Sequence, residues 1–186
     1  GYNANLPQIL AGCGVKYFTT QKLFWNYHGG TAHPYETFMW EGVDGTSILT
    51  HLHRNYTANT RPDSLAGRWK DNVHKEWTEK VLYPFGWGDG GGGPAREQLE
   101  FLRREVDLEG LPRTRWSSPQ QFFDSLVKSG LPKDRWVGEL YLEVHRGTFT
   151  SQAKTKRGNR LSELGMREAE MWSALAWASQ GRAYPA

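Results

Sequence analysis

Cysteine is all but missing from this chain. Cys13 is the only one among 186 residues, so no internal disulfide can form, which leans towards a reducing compartment. An excess of one charge sign is lacking too. Lys and Arg number 23 against 20 Asp and Glu, and a formal net charge of +3 is too small to argue for nucleic acid. The densest basic run, Lys154 to Arg160, opens a helical segment and reads as a solvated face. No apolar run approaches the ~18 residues of a membrane span, so no membrane partner is expected. The chain's glycine run is not followed by the Lys-Ser or Lys-Thr pair of a phosphate-binding loop, since Pro94-Ala95 stand there instead. The sequence begins at Gly1 with neither Met nor a signal-like segment, and reads as a piece of a longer protein.

Aromatics, by contrast, are abundant: 9 Trp, 8 Tyr and 8 Phe. Such numbers can fill a core, and they also suit sugar-binding clefts, where the C–H face of a pyranose packs on an indole. The central stretch runs from Leu82 to Pro94: an apolar, aromatic run, a single carboxylate at Asp89, four glycines, then Pro94 before a segment with helical spacing (Leu99, Leu102). That order predicts strand, loop and helix, with Asp89 at the carboxyl end of the strand, where α/β folds place their chemistry. Glycines let a ligand approach the backbone. An aromatic wall would disfavour ionisation of Asp89, which suits a proton donor. A flexible linker is the competing reading of four glycines, but linkers are seldom entered from Phe85 and Trp87 and left into a helix.

Elsewhere the pattern alternates. Leu6 to Leu10 predicts a short helix stopping at Gly12-Cys13-Gly14, and residues 15–20 a strand with Gln21-Lys22 at its carboxyl end. Lys22 is either a surface charge or a ligand-facing one. Residues 26–35 read as loop, 37–42 and 47–53 as strands around an Asp44-Gly45 turn. His51 and His53 share a strand face by the two-residue period; a metal would need a third ligand, and sugar hydrogen bonding or plain packing are the other readings. Asn55-Tyr56-Thr57 matches the glycosylation sequon, discounted without secretory evidence. Residues 63–79 carry helical spacing, 94–105 form a helix, a short polar strand leads to Trp116, and Ser118-Pro119 cap another helix. Strands alternating with helices argue an α/β layer fold with parallel strands. From Thr150 onward one long helix is expected, with Leu161, Leu164, Met171, Trp172 and Leu175 on one stripe, the first helix of a bundle.

Several segments carry a resemblance: Gly1 to Leu10, Thr20-Gln21-Lys22-Leu23, Phe38-Met39-Trp40-Glu41-Gly42, Gly88 to Pro94, Asp107-Leu108-Glu109-Gly110-Leu111-Pro112, the Gly138 to Gln152 block, and Lys156 to Arg160. In this order they resemble the α-mannosidases of glycoside hydrolase family 38, closest to the cytosolic and bacterial branch, over nearly the whole chain. The resemblance implies that residues 1–147 are the later part of a seven-stranded β/α barrel. Residues 148–186 would begin the family's middle domain, a three-helix bundle. It implies retaining hydrolysis of terminal α-D-mannosides, assisted by zinc, in a cytoplasmic enzyme. Asp89 falls on the general acid/base position, and Lys22 falls where other branches carry an arginine. Trp40, His51 and Trp87 fall on strand ends facing the substrate pocket.

The resemblance also implies that the nucleophilic aspartate lies just upstream of Gly1 and the zinc ligands outside the chain. By itself the chain is then expected to bind no catalytic zinc and to hydrolyse nothing. A non-catalytic glycan-binding relic is the second reading, and a nucleotide-binding enzyme built on the glycine loop a distant third. A homo-oligomer is among the states the sequence allows.

Overall fold

The computed structural model describes residues 1–25, 32–54, 56–89, 91–142, 144 and 153–184. Part of the loop expected at 26–35, Asn55 of the sequon, Gly90, and most of the block running from 143 to Gln152 lie outside the described residues. The chain divides into two compact units, Gly1–Val144 and His145–Ala186.

The first unit is mixed α/β. In chain order it contains α1 (Leu6–Gly12), β1 (Tyr17–Thr20), a 3-10 turn (Lys22–Phe24), β2 (Thr37–Glu41), β3 (Ser47–Leu52), α2 (Pro62–Lys70), α3 (Arg96–Arg104), α4 (Pro119–Ser129) and β4 (Arg135–Val137). The helix starts follow their sequence signals. Pro62 opens α2 with Asp63 in its first turn and Arg68 and Lys70 in its last, charges that complement the helix dipole. Ser118 caps α4, its Oγ accepting the Gln121 amide at 3.2 Å. At α3 the Gln98 side chain reaches back to accept the Ala95 amide at 2.8 Å.

The sheet order is β1-β3-β2-β4. Strands β1 and β3 are parallel, as are β2 and β4, but β2 and β3 are antiparallel, with Thr37 opposite His51 and Trp40 opposite Ile48. The expected all-parallel sheet is therefore corrected to a mixed one. The cause is the Asp44 turn, whose carboxylate accepts the Thr46 amide and hydroxyl at 2.9 Å each, while Gly45 takes φ 85°. So short a connection can join only antiparallel neighbours.

Both faces of the central strand β3 are covered. Ile48 and Leu52 join Leu23, Phe38, Trp40, Leu140 and Leu142 on one side. Leu49 packs with Phe122, Phe123 and Leu126 of α4 on the other. Residues 81–88 are not a strand: a single bridge joins Ala58 to Phe85, because Pro84 has no amide to donate and Gly86 turns the backbone at φ 113°. The polar segment before Trp116 is likewise irregular. Helix α2 ends at Lys70 instead of continuing to 79, and a turn takes over in which Asn72 Oδ1 accepts the His74 amide at 3.1 Å.

The second unit is dominated by α5 (Ala153–Gln180), a helix of 28 residues with no buried position. Leu161, Leu164, Met171, Trp172 and Leu175 of the expected stripe are all exposed. Among the described residues no helix is long and apolar enough to cross a membrane.

Candidate functional site

Two parallel strands point their carboxyl ends the same way. Lys22 follows the end of β1 and Tyr56 follows the end of β3. The Asp89 loop meets them there, positioned from below by the Ala58 carbonyl, which accepts both the Gly86 amide at 3.1 Å and the Gln98 side-chain amide at 3.3 Å.

The loop is a closed turn, not a linker. The Trp87 amide donates to the Gly93 carbonyl at 2.9 Å. A Cβ on Gly92 would lie 2.5 Å from the Trp87 Cβ, and one on Gly88 would lie 2.4 Å from both Tyr56 Cε2 and Thr57 Cγ2. A Cβ on Gly91 or Gly93 would meet nothing within 4 Å, so it is Gly88 and Gly92 that close packing requires. Between them Asp89 has φ 53°, the only non-glycine at positive φ among the described residues. Asp tolerates that region better than most residues, and such backbone outliers gather at functional sites.

Tyr56 donates its hydroxyl proton to Asp89 Oδ1. That bond, together with burial and the Asp89 charge, raises the phenol's pKa above its ordinary value, so Tyr56 holds its proton. Lys22 Nζ sits 3.4 Å from the Trp25 ring centroid and 5.7 Å from that of Tyr56, both within cation–π reach. The aromatic wall expected around Asp89 does not enclose it. Asp89 is exposed, and Trp87 is 67% exposed, because the turn carries both outwards.

Lys22, Asp89 and Trp87 are therefore gathered at one end of the sheet, while Trp40 and His51 are not brought to the loop. Trp40 lies towards the end of β2, which runs opposite to β3, so it stands beside the start of β3. It is fully buried and donates its indole N–H to the Gly138 carbonyl at 2.7 Å. His51 is at the right end of β3 but faces α4: its Nδ1 is 2.9 Å from Thr37 Oγ1, and its ring meets Phe122 at 4.7 Å. Burial, then the charge of Arg68, lowers its pKa well below the ordinary histidine value. His53 bonds Thr19 at 2.9 Å and is lowered to about 4 by burial and by Arg68. Both are packed neutral imidazoles. Among the described residues no group of three or more His, Cys, Asp or Glu could hold a metal, and Nε2 of His51 is buried without a hydrogen-bond partner. These residues do not fit a zinc site.

Tyr56 was invisible to sequence reasoning except as the middle of a sequon. Its partner is 33 positions away, and the only hint was a glycine at 88 that leaves room for its ring. A separate cavity of about 740 Å³ lies among Leu65, Trp69, Tyr83, Phe85, Leu102 and Trp116; Asp89 does not line it.

An exposed carboxylate with one oxygen engaged and the other free can give or take a proton beside a polar substrate. Residues 1–147 match the glycosyl hydrolases family 38 N-terminal domain, and 143–186 match the alpha mannosidase middle domain. The chain belongs to glycoside hydrolase family 38. It is 42% identical to alpha-mannosidase 2C1 of Mus musculus, over 100% of this chain and 18% of that protein. It is 43% identical to alpha-mannosidase G of Dictyostelium discoideum, over 92% and 16% respectively. The alpha-mannosidase of Saccharomyces cerevisiae is 37% identical over 94% of this chain and 17% of its own length. The chain thus spans less than a fifth of each of these relatives.

Proposed function

We propose that the protein carrying this chain is a retaining α-mannosidase that hydrolyses terminal α-D-mannosides of glycans, with Asp89 as its general acid/base. Residues 1–147 are then the later part of a seven-stranded β/α barrel, and 148–186 the first helix of a three-helix middle domain. The observation that carries this reading is the meeting of Lys22, Tyr56 and Asp89 at the carboxyl ends of β1 and β3 in a chain of this family.

Retaining glycosidases place two carboxyl groups roughly 5–5.5 Å apart across the scissile bond. The resemblance puts the nucleophilic aspartate upstream of Gly1. Asp89 protonates the departing glycosidic oxygen as that aspartate attacks the anomeric carbon, and then removes a proton from the water that releases the sugar. Lys22 offers an ammonium to the sugar hydroxyls, and the exposed indole of Trp87 an apolar face. Zinc, which the resemblance implies, would be held by residues outside this chain. The branch resemblance and the single cysteine support a cytoplasmic protein.

The test is Asp89→Asn in the full-length protein. Turnover of an alkyl α-mannoside should fall by about 10²–10⁴-fold. An activated aryl mannoside, whose leaving group needs no proton, should be hydrolysed at a rate much nearer that of the wild type. Unchanged rates on both would refute the assignment, and glycan binding without any turnover would favour the non-catalytic reading.

A further inference from the structure

We propose that Tyr56 is a positioning residue for Asp89, fixing which carboxylate oxygen carries the transferred proton. This rests on the reading of Asp89 as proton donor. Three independent features converge on the pair. The Tyr56 hydroxyl donates to Oδ1 and so occupies it, leaving Oδ2 as the oxygen free for a substrate. The backbone at Asp89 is held at φ 53°, a conformation non-glycine residues rarely adopt, which fixes the direction in which its Cα–Cβ bond leaves the loop. Gly88 admits the Tyr56 ring at a distance no other residue permits, since any Cβ would stand 2.4 Å from Cε2.

The proton balance is simple. When the glycosidic bond breaks, the Oδ2–H bond of the carboxylic acid breaks with it. The proton goes to the departing oxygen, and Asp89 is left as a carboxylate with Tyr56 still donating to Oδ1. Tyr56 transfers nothing: its proton is retained through both half-reactions, as its raised pKa allows. A donor aimed at one oxygen strengthens as charge develops on the carboxylate, so the contact acts in the transition state of proton donation. Lys22 Nζ lies 5.7 Å from the ring centroid, within cation–π reach.

The experiment compares Tyr56→Phe with wild type in the full-length protein, using methyl α-mannoside and dinitrophenyl α-mannoside as probes. A positioning role predicts that kcat/KM falls by about tenfold or more on the methyl glycoside, the scale of one lost hydrogen bond to a charged group, with little change on the dinitrophenyl glycoside. Gly88→Ala, which displaces the ring, should give the same selective loss. If Tyr56→Phe lowers both substrates equally, or neither, while Asp89→Asn is selective for the methyl glycoside, the positioning role is overturned and the acid/base reading stands. If Asp89→Asn itself is not selective, that reading fails and Tyr56 has no proton donor to position.

Discussion

Replacing Glu36 by Gln tests the electrostatic frame beneath the site. Glu36 is 1% exposed. Its Oε1 accepts from Arg54 Nε at 2.7 Å, and its Oε2 from Arg68 Nη2 at 2.9 Å. One carboxylate thus serves two cations, and the two are not equivalent. The Arg54 side chain is 32% exposed and stacks on Phe24 at 4.6 Å, whereas the Arg68 side chain is 5% exposed, with Nε and Nη1 buried without partners. Glu36→Gln keeps the shape and removes the one carboxylate that, among the described residues, pairs with Arg68. Leaving a buried ion uncompensated costs about 3–5 kcal/mol. For a cooperative domain of about 150–250 residues within the full-length protein, that lowers the midpoint of thermal unfolding by roughly 10 °C. Arg54→Ala removes a partly solvated partner and should cost about 1 kcal/mol. Thermal unfolding of the full-length variants followed by Trp fluorescence reads both. If Glu36→Gln shifts the midpoint no more than Arg54→Ala, the triad is not a buried balance of charge and the reasoning fails.

The two histidines give a pH dependence. His53 titrates near 4 in the folded chain and His51 well below its ordinary value, against 6.5 when unfolded. The unfolded state therefore binds more protons below pH 6.5, so stability present above that pH is lost as pH falls towards 4. The thermal midpoint should decline across this window and decline less steeply in His53→Gln; equal slopes would refute the assignment. Expressed without flanking sequence, the 186 residues should lack a cooperative unfolding transition. Among the described residues the sheet ends at β1 and β4 with no further strand paired to them, and α5 exposes Trp172 and Trp177 at 61% each. A sharp calorimetric transition would contradict this.

Local patterning was legible because its causes are local. The helix cap at Ser118, the strand at 17–20, the hairpin turn at Asp44-Gly45 and the apolar stripe of α5 each depend on residues a few positions apart. The sequence alone also marked Asp89 and the glycine run as the centre of interest, and the family through its motifs. Strand direction was not legible. Whether β2 ran with or against β3 decided that Trp40 became core and not pocket, and the tightness of one connection settled it. Nor could His51 be assigned a face: the period put it with His53, but only the packing of α4 showed that the shared face is covered. Tyr56 depended wholly on tertiary structure. A hydrogen bond between residues 33 positions apart leaves no periodic trace, because it is made by the meeting of two loops that the bridge between Ala58 and Phe85 holds together.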